Sequence, residues 1–212
     1  MLSPSAAAPA LELHDVACIR GSNLLFRGVT LRLLPGQMLR VRGANGCGKS
    51  SLLRVMCGLL PAAHGQVLWH GQPMRGREGE ASDLLYLGHQ HGLREELSAR
   101  ENLDFAASLG GERPSQAAIT QALVQAGLRA SAEVPLRRLS QGQRRRCALA
   151  RLPLARRQRL WILDEPFNAL DAEGTEWLMS EMHGHLRRDG LVVFTSHQSL
   201  PIDATADLEL AL

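Results

Sequence analysis

The chain is expected to fold as an α/β protein, with a parallel sheet core, an antiparallel β segment near the N-terminus and an all-helical insert. Three observations predict this. MLRVRG at 38–43, LLYLGH at 84–89, RLWILDEP at 159–166 and LVVFTSH at 191–197 are short apolar runs separated by helical stretches; strands of that kind are buried on both faces, as parallel strands are. Between His91 and Arg159 helical signals dominate. Ahead of both, LELHDVACIRGSNLLFRGVTLRLL at 11–34 reads as short strands in a meander.

Taken in order, Gly21-Ser22-Asn23 is the turn of that meander and Pro35-Gly36 closes it. MLRVRG leads straight into a glycine-rich loop, and SLLRVMCGLL follows as an apolar helix that Gly58 and Pro61 end. GQVLWHGQPM supplies a further strand and turn, GREGEASD an exposed loop, and LLYLGH a buried strand. In the insert, Ser98 precedes ARENLDFAASL, Ser115 precedes QAAITQALVQAGL, and Ser140 precedes a long arginine-rich helix; serine hydroxyls satisfy the free N–H groups at helix starts. Pro153 should kink or end that last helix. A helix near Glu173–Arg188 and a final strand in DLELAL complete the pattern.

At 212 residues the chain is within reach of a single core, and 45% apolar with 21% charged residues is a globular mixture that excludes a disordered chain or a fibre. A formal charge of +3 does not call for nucleic acid, which needs a clustered basic face. The arginine run 144–146, 151, 156, 157 and 159 reads as a solvated helix face, with its first members near an interface. Cys18, Cys47, Cys57 and Cys147 form no CxxC pair, so neither a zinc site nor a disulfide framework is expected. His89 with His91, and His183 with His185, are two residues apart, a spacing that puts helical rings on different faces and argues against metal ligation. Residues 1–10 read as a frayed tail, lacking the basic start and leucine-rich stretch of a signal peptide. No window offers the ~18 apolar residues of a membrane span, so at a membrane another chain would hold this one.

The chemistry begins at Gly43-Ala44-Asn45-Gly46-Cys47-Gly48-Lys49-Ser50, with Ser51 next in the helix start. It has the GxxxxGK[ST] spacing of a phosphate loop and stands between a strand and a helix. There, backbone N–H groups and the helix dipole attract phosphate, Lys49 reaches the β- and γ-phosphates, and Ser50 holds Mg²⁺. Cys47 admits two readings, a redox-sensitive thiol at a helix start or a small filler that contributes its amide. Leu160 to Glu165 is an apolar strand ending in two carboxylates, the form of a Walker B element: Asp164 for Mg²⁺ through water, Glu165 to orient the attacking water.

Leu139-Ser140-Gln141-Gly142-Gln143 resembles the LSGGQ signature of ABC-type ATPases, and the rest of that family's set follows in order. Gln90 looks like the Q-loop glutamine, a ligand linked to Mg²⁺ and the γ-phosphate; Asn168-Ala169-Leu170-Asp171 looks like the D-loop; Thr195-Ser196-His197 looks like the switch histidine. The resemblance implies a RecA-like P-loop NTPase core in one domain, 11–212, with its helical subdomain at about 91–159. It implies ATP and Mg²⁺ as ligands and a head-to-tail homodimer, in which Ser140, Gly142 and Gln143 of one copy, and Asp171, border the ATP held by the other. Two departures stand out: Gln141 replaces a glycine, and Arg20 stands about where the family often places an adenine-stacking aromatic.

The segments LLYLGHQHGLREELSARENL, VLWHGQP, LARLPLARRQRLWILDEPFNALD and TSHQSL together resemble the ATP-binding subunits of the cytochrome c maturation system. That resemblance implies a peripheral ATPase on the cytoplasmic face of a bacterial inner membrane, docked on a polytopic partner. Its energy would drive haem export or release of a haem-loaded periplasmic chaperone, and no nucleic acid is expected. An ATPase subunit of another ABC transporter, a soluble regulator and a nucleic-acid-associated ABC factor are the alternatives.

Overall fold

The structure, a computed structural model, describes residues 8, 10–74, 83–89, 92–110, 113–196 and 204–209, the last four as backbone only. Two sheets and a helical insert are built from nine strands and five α-helices among these residues.

β1 (Leu11–Arg20) and β2 (Asn23–Leu33) form a long antiparallel hairpin turned at Gly21-Ser22. β4 (His64–Trp69) pairs with the other edge of β1, and β5 (Gln72–Pro73) with β4, giving the order β2-β1-β4-β5. The expectation of short strands in a meander is corrected here: the strands are ten and eleven residues long. The strand that follows β2, β3 (Met38–Arg42), leaves for the second sheet.

That second sheet is parallel, in the order β6-β7-β8-β3-β9, with β6 (Leu84–Leu87), β7 (Leu160–Leu163), β8 (Leu191–Thr195) and β9 (Ala206–Glu209). Its strands are apolar throughout because successive side chains serve opposite layers. Leu160 and Ile162, Leu191 and Val193, and Leu39 and Val41 meet the antiparallel sheet and α1 (Lys49–Met56). Trp161 and Leu163, Val192 and Phe194, and Met38 meet α5 (Ala172–Leu186) through Leu178 and Met182. Each fully buried side chain of this size contributes about 1.5–3 kcal/mol relative to exposure.

The insert holds α2 (Ala99–Leu109), α3 (Gln116–Gln125) and α4 (Gln141–Leu149) around Leu103, Ile119, Leu123, Leu136 and Cys147. Ser98, Ser115 and Ser140 cap the three helices as expected. The arginine-rich helix is shorter than its sequence suggested. α4 ends at Leu149, and a 3₁₀ turn at Leu152–Leu154 holds Pro153, which lacks the N–H that helix continuation needs. The reading of its arginines as a solvated face is also overturned in part: Arg145 and Arg146 are 3% and 8% exposed. His183 is exposed, and His185 is buried in a stack on Trp161, ring centroids 3.8 Å apart.

Candidate nucleotide site

Parallel strands end on one side of their sheet, so the segments leaving β3, β7 and β8 share an edge, the side on which α/β folds bind ligands. Gly43–Gly48 leaves β3, Asp164-Glu165 leaves β7, and Ser196 follows β8.

The loop from β3 rises through Gly43, Ala44, Asn45 and Gly46, the last three exposed, and enters α1 at Gly48, with Lys49, Ser50 and Ser51 in the first turn. Gly48 is required on two counts. Its φ is +99°, and a Cβ there would stand 3.0 Å from Leu25 and Phe26 of β2. The antiparallel hairpin therefore packs directly on the loop. Lys49 is buried, and its Nζ donates to the carbonyls of Gly43 and Ala44, both at 2.9 Å, which leaves its third N–H for a ligand. Cys47 is 1% exposed within the core, so its thiol is a filler. Its amide lies 3.4 Å from the Ala44 carbonyl.

Beyond β7, Asp164 is 2% exposed, and its Oδ1 accepts from the Thr195 hydroxyl at 2.8 Å. Its Oδ2 is buried without a hydrogen-bond partner among the described residues. A buried carboxylate oxygen left over in this way suits a hard cation. Glu165 follows at φ +50°, its amide donating to Thr195 Oγ1 at 2.7 Å and its carboxylate held by Asn168 Nδ2. Thr195 thus serves both carboxylate residues at once. It and Asn168 had stood in the sequence only as members of the switch and D-loop motifs, since a strand-end threonine or a loop asparagine carries no signal of its own.

The signature segment is a helix start. Ser140 caps α4, accepting from Gln143 N at 3.2 Å, while Gln143 Oε1 accepts from Ser140 N at 2.9 Å. The Ser140 hydroxyl keeps its proton to donate and is exposed. Gln143, expected among the nucleotide contacts, spends both ends of its amide inside its own chain, its Nε2 reaching Ser131 at 3.3 Å. Gly142 lies against the D-loop: a Cβ there would come within 2.8 Å of the Ala169 carbonyl. Gln141 is exposed at the first position of the helix, so the extra side chain meets no clash within the chain.

Asp171 caps α5 through Gly174 N at 2.9 Å and pairs with Arg146, whose other nitrogen donates to the Ala126 carbonyl at 3.0 Å. The Gly174 amide first, and then Arg146, hold its carboxyl below the ordinary range. Among the hydrogen bonds of the described residues none joins Gly43–Ser51 to Ser140–Gln143. Gln90 and His197 lie outside the described residues.

A phosphate loop on one parallel strand, a Walker B pair on another and a signature helix in an inserted helical unit define the ATP-binding subunits of ABC transporters. The ABC transporter family pattern matches residues 26–168. The chain is 46% identical over 196 residues to the cytochrome c biogenesis ATP-binding export protein CcmA of Aromatoleum aromaticum, covering 92% of each chain. It is 45% identical over 201 residues to the CcmA protein of Pseudomonas aeruginosa, covering 94% of this chain and 98% of that one. Among solved structures it resembles an ABC transporter ATP-binding protein of Pyrococcus furiosus with TM-score 0.82 at 24% identity, over 94% and 96% of the two chains. It also resembles a dimeric ATP-binding cassette bound to ADP and Pi, with TM-score 0.77 at 23% identity, over 89% and 88%. The chain belongs to the ABC transporter ATPases and, within them, to the CcmA family of cytochrome c biogenesis ATP-binding proteins.

Proposed function

We propose that this chain is the ATP-hydrolysing subunit of an inner-membrane ABC complex for cytochrome c biogenesis, bound peripherally at the cytoplasmic face to polytopic subunits. Its turnover serves haem export or release of a haem-loaded periplasmic chaperone. The observation that carries the ATPase chemistry is the Thr195 hydroxyl joined to both Asp164 and Glu165, with Asp164 Oδ2 left for a cation. The names of the CcmA relatives support the cytochrome c role.

The amides of Gly43–Gly48 and the start of α1 receive the phosphates, with Lys49 reaching the β- and γ-phosphates. Ser50 and Asp164 would hold Mg²⁺, with Gln90 as a further ligand; the ion, when bound, neutralises charge on the β- and γ-phosphates. Glu165 accepts a hydrogen bond from the attacking water, and His197 steadies it. The γ-phosphoryl group passes from the β–γ bridging oxygen of ATP, which leaves with ADP, to the water oxygen, one water proton passing toward Glu165, and the charge it spreads meets donors already in place. Ser140 and the amides around Gly142 belong to a half-site that a second copy completes. This accords with the lack of hydrogen bonds between signature and phosphate loop among the described residues of one chain. The single domain of 11–212, with its helical part near 91–159, is then one half of a two-fold dimer held by two ATP molecules.

The test is made on full-length protein purified from native membranes. Lys49→Ala is expected to lose ATP binding and turnover, whereas Glu165→Gln binds ATP, stays dimeric and stalls. Cytochrome c maturation subunits should co-purify, with haem or a haem-carrying protein leaving only on hydrolysis. An unrelated permease as sole partner, or salt-sensitive RNA or DNA in its place, would overturn the reading.

A further inference from the structure

Glu165 has a left-handed backbone, φ +50°, which a residue with a Cβ adopts only when its surroundings hold it there. Thr195 holds its amide and Asn168 its carboxylate. The carbonyl side is held from a different subdomain. Arg145, on the second turn of α4, donates from Nε to the Pro166 carbonyl at 3.1 Å and from one terminal nitrogen to the carbonyls of Asp164 at 3.0 Å and Glu165 at 2.5 Å. One planar guanidinium thus gathers three successive carbonyl oxygens, which the point charge of a lysine cannot do.

Arg145 is 3% exposed. Burial lowers its pKa to about 10, with Asp164 and Glu165 acting in the opposite direction, so it remains a cation at neutral pH. A buried cation is costly and persists where its hydrogen bonds are needed. An apolar side chain would fill the space without that cost, but it would take this donor from all three carbonyls and leave that of Glu165 with the longer bond from the Asn168 amide, 3.2 Å.

We propose that Arg145 is a positioning residue for hydrolysis, fixing the Asp164-Glu165-Pro166 backbone so that the Glu165 carboxylate meets the attacking water. This rests on the assignment of Glu165 as the group that orients that water. Because Ser140 caps α4, the helix that would touch the second copy's nucleotide also grips the backbone of the hydrolytic residue of its own copy. A shift of the helix start is passed to Glu165 through Arg145.

Arg145→Gln and Arg145→Lys, each as the full chain with its membrane subunits, are compared with wild type and Glu165→Gln. Both Arg145 variants are expected to lose kcat by roughly 10- to 100-fold, the scale of a small misplacement of a catalytic group, while KM and the Kd for ATP change less than threefold. If Arg145→Gln fails to fold, Arg145→Lys, which keeps the charge and most of the volume, decides alone. A wild-type kcat in either folded variant overturns the proposal, as does a loss of ATP binding in step with kcat, the mark of a merely structural role. Wild-type turnover in Glu165→Gln overturns the Glu165 assignment instead, whatever the Arg145 variants do.

Discussion

The hydroxyl of Thr195 donates to Asp164 Oδ1 at 2.8 Å, joining the ends of two adjacent parallel strands inside the nucleotide site. The same oxygen accepts the Glu165 amide at 2.7 Å. Thr195→Val keeps the shape and removes both bonds, leaving the Glu165 amide and one more Asp164 oxygen unpaired. The expected cost is about 1–3 kcal/mol of stability, from urea midpoints, with at least a tenfold fall in kcat at saturating ATP. Stability and turnover both within error of wild type would remove Thr195 from the site.

Gly48→Ala places a methyl 3.0 Å from Leu25 and Phe26 on a backbone at φ +99°. The loop or the β1–β2 hairpin must shift, and ATP affinity is expected to fall by tenfold or more, read by titration with a fluorescent nucleotide. Gly46→Ala is the comparison: its φ is +84° but nothing lies within 4 Å of the added carbon. A smaller loss is expected there, and equal losses would show that backbone conformation, not the hairpin contact, dominates.

Cys47→Ala should retain ATP turnover within twofold, because the side chain is a 1% exposed filler in the core. Thiol reagents should inhibit the native enzyme no faster than they inhibit this variant. Inhibition that disappears in Cys47→Ala would restore the redox reading.

His185 gives a pH signature. Burial, with Arg188 and Arg159 nearby, pushes its pKa down to about 4, while its Nε2 lies 3.1 Å from the Arg159 carbonyl, fixing the Nε2–H tautomer. The folded protein keeps this ring neutral when the unfolded chain begins to protonate it near pH 6.5. Unfolded chains therefore bind more protons between pH 6.5 and 4, and stability falls as pH drops through that window. The loss is on the order of 2 kcal/mol by pH 5. Imidazole NMR titration should place His185 well below the exposed His183; a midpoint near 6.5 would contradict the packing.

Much of the site was legible because its chemistry is local in sequence. Gly43 to Ser51 must be contiguous to wrap a phosphate, and Asp164-Glu165 must follow an apolar strand to sit at a sheet edge. The strands were legible for the same reason: Leu160–Leu163 is buried on both faces and reads as an unbroken apolar run. The arginines of α4 were not. Arg145 and Arg146 look like any solvated pair in a basic run, and their burial depends on carbonyls 19 to 21 residues away, on the Asp171 carboxylate 25 residues away and on the end of α3. Gln143 reads as a ligand contact because it ends the signature, and only the structure shows the capping box between Ser140 and Gln143 that engages its amide.

Sequence alone determined the fold class and the family and marked the candidate nucleotide segments, since hydrophobic periodicity, helix caps and phosphate-loop spacing are properties of neighbouring residues. Tertiary structure alone decided that Thr195 serves two carboxylate residues, that Leu25 and Phe26 of the hairpin crowd the space a Cβ at Gly48 would take, and that Arg145 holds the Glu165 backbone. Each of these is a contact between segments distant in the chain, and it exists only once sheet order and helix packing have brought their atoms within hydrogen-bond or van der Waals reach.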